Sequence, residues 1–363
     1  MFTPTQPGRA SAIIAPLLAG LTLCHCPGPD AARAAIVPVA TRPLAAMNGP
    51  LVVLDVRAGM GPGQASAARI LTVQGGQVAR VLAREQAAPS TGGIAPSPRG
   101  LYIAYATNRS TSSAPSPQAP GLWQVSSMGG AAHFIVSPPT STQGNTLEIG
   151  SVAWSPDRYT LAYAVVVPGE GLASPQRERA LGVWLTRYDG GRPRQVARNA
   201  QLGIISGSIT RLSWTPDGHT LAVSTFLPAP QGGNLPTVLA LDATTGRART
   251  LVRGGQDAAL SPTTGALAYT ISTSQTTTLW VAGAQGQQPH ALVRGSIFSP
   301  AWAPDGRAIA YLDHPDSGAT TVVRIVNVAT GQVQTAIADN QMGQPLLLAD
   351  GHFQSLGWLR TRV

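Results

Sequence analysis

Apolar and polar positions alternate along most of this chain in short runs, and the runs come in pairs. VAWSPDRYTLAYA (152–164), LSWTPDGHTLAVS (212–224) and PAWAPDGRAIAYL (300–312) each read as a short apolar strand, a turn and a second apolar strand. Looser copies are IAPSPRGLYIAYA (94–106) and AALSPTTGALAYT (258–270), and SLGWL (355–359) is a truncated sixth. The turn chemistry follows from residue type. Proline pre-sets φ, glycine accepts a positive φ, and aspartate can take the backbone N–H two residues on. A two-residue period broken at Gly, Pro and Asp predicts antiparallel strands. No sustained 3.6-residue apolar period follows residue 35.

A third alternating run follows each pair: RILTVQGG (69–76), LWQVSSMGG (122–130), VWLTRYDGG (183–191), TVLALDATTG (237–246), LWVAGAQG (279–286) and VVRIVNVATG (322–331). Each closes on a Gly-bearing hairpin turn. A fourth run then completes the unit: QVARVLA (77–83), AAHFIV (131–136), RPRQVA (192–197), RARTLV (247–252), QPHALV (288–293) and QVQTAI (332–337). Four-stranded meanders repeating every few tens of residues predict radially stacked sheets. The first unit has LVVLDV (51–56) as its second strand and lacks a first strand, whereas the chain ends on one. The expected fold is therefore all-β: a six-bladed β-propeller of four-stranded antiparallel blades, its ring closed by three N-terminal strands plus one C-terminal strand. Such closure removes free sheet edges.

The WSPDG-x-x-[IL]-A-[YV] units at 154–163, 214–223 and 302–311 resemble the repeats of TolB-like, WD-repeat-like β-propellers, and the similarity spans nearly all of residues 47–363. TolB itself carries an additional N-terminal α/β domain, for which residues 1–46 are expected to leave no room. Similar blades precede the hydrolase domain of prolyl-peptidase-type enzymes, but no G-x-S-x-G nucleophile elbow occurs here. The repeated residues read as scaffold. Asp157, Asp217 and Asp305 shape turns, and Trp154, Trp214, Trp302 and Trp358 pack between blades.

Composition changes the picture at the N-terminus. Residues 11–24, SAIIAPLLAGLTLC, form an apolar run after Arg9, too short to span a bilayer comfortably. With Ala32-Arg33-Ala34 downstream they predict a signal peptide over 1–34, a linker over 35–46 and one propeller domain over 47–363. Lipid attachment at Cys24 is the alternative, disfavoured by the bulky Leu23. Cys24 and Cys26 are the only cysteines, so the propeller has no disulfide framework. The net charge of +9 comes from arginines scattered singly, with no lysine. Nucleic-acid binders concentrate their charge, so no specific nucleic-acid partner is expected.

With strands alternating in direction, the connections from second to third strand and from fourth strand to the next blade share one face. The long stretches at 57–68, 108–120, 137–146, 167–179, 226–234 and 339–351 all belong to that set. Loops on a rigid scaffold are where binding resides. Arg109, Glu170, Arg177 and Arg179, on loops of neighbouring blades, and Asp313 and His314 on another are the candidate partner-binding residues. Asp316 completes an Asp-His-x-Asp cluster there, but its spacing matches no established metal loop. No catalytic constellation, metal site or cofactor motif is found. The expectation is an exported (secreted, periplasmic or cell-surface) non-enzymatic monomer binding a protein or another cell-envelope component. The alternative is a lactonase-, cyclase- or lyase-like enzyme, or a ligand sensor, that uses the central channel near Arg211, Gln256, Asp257 and Gln354.

Overall fold

In a strand whose two faces are both covered, the apolar run becomes continuous. The second strands of the blades show this: all six residues of Ala308–Asp313 are buried. A computed structural model describes residues 49–57, 67–85, 93–107, 121–139, 147–167, 179–205, 209–315, 321–338 and 351–360. All belong to one compact unit, Arg42–Val363. The expected leader, its cleavage site and Cys24 lie outside the described residues, as do Arg109, Glu170, Arg177 and Asp316.

The described strands form six four-stranded antiparallel sheets. Blade 1 comprises β1 (Leu51–Arg57), β2 (Ala67–Gln74) and β3 (Gln77–Glu85), with β24 (Gly351–Trp358) as its innermost strand. Blade 2 is β4 (Ile94–Pro96), β5 (Tyr102–Thr107), β6 (Gly121–Ser126) and β7 (His133–Val136). Blade 3 is β8 (Glu148–Trp154), β9 (Thr160–Val166), β10 (Gly182–Arg187) and β11 (Arg194–Arg198). Blade 4 is β12 (Arg211–Trp214), β13 (Thr220–Pro228), β14 (Asn234–Asp242) and β15 (Ala248–Arg253). Blade 5 is β16 (Gln256–Leu260), β17 (Leu267–Ser272), β18 (Thr277–Ala282) and β19 (His290–Gly295). Blade 6 is β20 (Ile297–Trp302), β21 (Ala308–Asp313), β22 (Val322–Asn327) and β23 (Val333–Ala338).

The sheet order β24-β1-β2-β3 joins the two ends of the chain, with Leu51 opposite Trp358 and Val53 opposite Leu356. The chain is thus a six-bladed β-propeller closed as the sequence predicts. Its core is distributed among the described residues as six apolar clusters, one at each blade–blade interface. The cluster of Leu51, Val53, Ala310, Leu312, Leu356 and Trp358 seals blade 6 against blade 1. In every blade the pairing of third and fourth strands slips register at least once. Such bulges increase the local twist.

One stretch departs from the sequence reading. Residues 226–234 were expected to form a long irregular loop. Instead β13 and β14 continue pairing through Phe226↔Pro236, Leu227↔Leu235 and Pro228↔Asn234. The turn is tight, with Ala229 N–H donating to Gly233 O at 3.0 Å. Pro228 and Pro236 disguise the strand in the sequence, yet Pro228 ends β13 and so costs little pairing.

Candidate functional site

The turns between first and second strands share one backbone plan. Asp157 accepts the N–H groups of Tyr159 (2.8 Å) and Thr160 (2.9 Å) and the Thr160 hydroxyl (2.6 Å). Asp217 accepts His219 N–H at 2.9 Å and the Thr215 hydroxyl at 2.6 Å, and Asp305 accepts Arg307 N–H at 2.9 Å. Burial raises the Asp157 carboxyl, but the Thr160 hydroxyl and the two N–H groups outweigh it and hold the group below its ordinary range. The Thr215 hydroxyl, then His219 N–H, does the same for Asp217. The turn closes on a left-handed residue: Gly100, Gly218, Gly265 and Gly306 at φ 66°, 72°, 71° and 72°. In blade 3 that position is Arg158, at φ 72°.

The tryptophans one step inside these turns wall a central cavity of about 400 Å³. Trp214 donates its indole N–H to Ala153 O (3.2 Å) in blade 3, Trp302 to Ala259 O (3.1 Å) in blade 5, and Trp358 to Gly49 O (3.0 Å). Trp154, only 8% exposed, lines the same cavity with its Nε1 unpartnered among the described residues. Turn prolines, Pro98, Pro156, Pro216, Pro262 and Pro304, ring the mouth, which therefore opens on the short-turn face. The charged residues of the lining are Arg158, Arg211 and Arg360; the lining contains no Asp or Glu.

Arg211 forms the inner end. From β12 it reaches past blade 5 to blade 6, donating Nη1–H to Ser299 Oγ (3.1 Å) and Nη2–H to Pro300 O (2.7 Å). Asp257 accepts Ser299 N–H at 2.9 Å. Asp257 and Ser299 both hold left-handed φ, 54° and 52°, where β16 and β20 slip against their neighbours. Desolvation lowers the Arg211 pKa, and the charge of Asp257 offsets part of it. Gln256, by contrast, turns outward and donates to Ser272 Oγ at 2.8 Å.

On the opposite face the described connections separate into anchors and exposed groups. Asp313 is buried: it accepts Ser296 N–H at 3.1 Å and lies 3.0 Å from Arg324 Nε. His314 stacks on Phe298 with centroids 4.8 Å apart and sits 3.3 Å from the Thr321 hydroxyl. Arg179 is exposed, while its carbonyl accepts Gln195 Nε2–H at 2.9 Å. Between blades 3 and 4 a short 3-10 turn, Asn199–Leu202, ends on Gly203. Leu202 and Ile204 are buried with Leu227 of the extended hairpin packed against their cluster. Ile205, next along, is 83% exposed. The sequence reading missed this isoleucine and both rim arginines. Arg158 carried a signal, since it occupies the glycine slot of its repeat.

No group of three or more His, Cys, Asp or Glu able to hold a metal ion occurs among the described residues. No helix there is long and apolar enough to cross a membrane. No family model matches the sequence, and no curated protein does. The fold has clear counterparts among solved structures. It is similar to TolB from Acinetobacter baumannii, with a TM-score of 0.60 and 14% identity over 86% of this chain and 67% of that one. A putative TolB from Agrobacterium tumefaciens gives a TM-score of 0.54 and 14% identity over 86% of this chain and 100% of that one. A chain of a nidogen/laminin complex gives 0.53 and 11% identity, again over 86% and 100%. At these identities the likeness establishes a TolB-like β-propeller fold.

Proposed function

We propose that this chain is an exported, non-enzymatic β-propeller that binds a protein or another envelope component through its long-loop face. The observation that carries the proposal is Ile205. A large apolar side chain is held out at 83% exposure, with Leu202 and Ile204 buried beneath it and the half-buried Leu227 packed against the same cluster. The hairpin β13–β14 stands beside it on the same face. Ile205 is the most exposed large apolar side chain among the described residues, ahead of Tyr159 at 55% and Met128 at 54%, and interface anchors are side chains that a partner can bury. The TolB-like fold agrees with a binding scaffold, and one of the similar structures is a chain of a protein–protein complex. Export rests on the apolar run 11–24 and the small-residue site at Ala34.

Photo-crosslinking in the producing cell tests the interface. A photoreactive residue at Ile205 is expected to capture one protein, and the same residue at the exposed Arg307, on the short-turn face, is expected not to. Ile205→Asp should abolish the complex. Capture from both positions alike, or from neither, overturns the proposal. The N-terminal sequence of the purified cellular protein checks export: a start at Ala35 is expected, and an intact Met1 overturns it.

A further inference from the structure

The geometry points to a second site: the central cavity on the short-turn face binds a small organic anion with a flat apolar body. This rests on the opposite face of the disc and stands independently of the interface at Ile205.

Charge is the first ground. The cavity has three arginines in its lining and no carboxylate. The turn carboxylates Asp157, Asp217 and Asp305 stand outside this lining. Asp157, Asp217 and Asp305 each accept a backbone N–H of their own turn. Arg158 and Arg360, from blades 3 and 1 on either side of blade 2, have guanidinium groups without partners among the described residues. Both are exposed. An anion entering the mouth would meet two guanidinium groups whose donors no other described side chain engages.

Backbone conformation is the second ground. Arg158 holds φ 72°, in the slot filled by Gly100, Gly218 and Gly306 in blades 2, 4 and 6. Left-handed backbone disfavours a side chain bearing Cβ. No described intramolecular contact of the Arg158 side chain compensates for it. Strain of this kind gathers at ligand sites.

The walls supply the rest of the specificity. Trp154, Trp214, Trp302 and Trp358 present aromatic surface, and the prolines at the turns add an apolar rim. A volume of about 400 Å³ lies in the range of small-molecule pockets. At the inner end Arg211 has committed Nη1 and Nη2 donors to Ser299 and Pro300. It closes the cavity there, so the anionic head belongs at the mouth and the apolar body inside.

Isothermal titration calorimetry with four naphthyl probes tests the site on the full chain. 1-Naphthoate or 1-naphthyl phosphate is expected to bind at least about tenfold more tightly than neutral 1-naphthamide, and 1-naphthylmethylammonium is expected not to bind. Whichever anion binds more tightly identifies the head group as carboxylate or phosphate. Arg158→Gly and Arg360→Gln are each expected to weaken the anion by about fivefold and leave the amide unchanged. Arg307→Gln, outside the cavity, is expected to change neither. Arg158→Gly relieves backbone strain, so its loss of binding is not a loss of folding. Equal binding of acid and amide, no binding of either anion, or full affinity in both arginine variants overturns the proposal.

Discussion

The short turns allow backbone strain and steric clash to be separated in three substitutions at equivalent positions. Arg158→Gly removes a Cβ from a residue at φ 72° whose N–H donates to Ser155 O at 3.0 Å, a bond that glycine keeps. Left-handed backbone costs a residue with Cβ roughly 1–2 kcal/mol. The extra freedom of glycine in the unfolded chain takes back roughly 0.5–1 kcal/mol. The variant should therefore gain about 0.5–1 kcal/mol. Gly218→Ala runs the comparison backwards at φ 72°. The nearest atom to its new Cβ is Ser155 Oγ at 3.6 Å, ordinary contact distance, so only the backbone term applies. With the glycine entropy counted as before, a loss of about 0.5–1 kcal/mol is expected. Gly100→Ala adds a clash to the same strain, because its Cβ would lie 2.5 Å from the backbone oxygen of Arg360. That oxygen belongs to the segment closing the ring and cannot swing aside like a side chain. Overpacking adds roughly 1–3 kcal/mol, for a total of about 2–4 kcal/mol. Urea titrations followed by tryptophan fluorescence would read the three differences from midpoints at constant slope. Two results refute the reasoning: Arg158→Gly less stable than the parent, or Gly100→Ala no worse than Gly218→Ala.

Two further outcomes follow from ring closure and from the turn carboxylates. Ending the chain after residue 350 deletes β24 with Leu356 and Trp358 from the seal between blades 6 and 1 and exposes the edge of β1. Such a chain is expected to aggregate on expression, and a soluble product with a cooperative unfolding transition would count against closure by this strand. Asp217→Ala should cost about 0.5–2 kcal/mol at neutral pH, by analogy with the loss of a helix cap. Because the folded Asp217 pKa lies below its unfolded value of 3.8, its contribution is complete above that pH and drains away as the pH falls toward the folded pKa. The stability gap between parent and variant should therefore narrow at about pH 2.5, and a gap unchanged from neutral pH would contradict it.

The fold was legible in the sequence because each blade repeats a local instruction. Pro-Asp-Gly turns and two-residue alternation act over a few neighbours, so Val152–Ala164 or Pro300–Leu312 can be read in isolation. Even ring closure could be counted from one missing first strand at the start and one spare at the end. The sequence misled where local signals conflict: Pro228, Pro230 and the Gly232-Gly233 pair suggested a loop, whereas Phe226, Leu227 and Leu235 continued the strands.

The sites were far less legible. Arg211 meets Ser299 across 88 residues of sequence, and no local pattern announces that pairing. The cavity is assembled from one tryptophan in each of four blades, so its volume and its lack of carboxylates exist only once the ring has closed. Asp313 and His314 looked alike on paper, but one is buried beside Arg324 and the other stacks on Phe298. The sequence alone determined strand, turn, blade count and closure, since these follow from short-range backbone chemistry and periodic burial. The tertiary structure alone decided which charges are neutralised, which face holds the cavity and which apolar side chains stay in water, because each depends on residues distant along the chain.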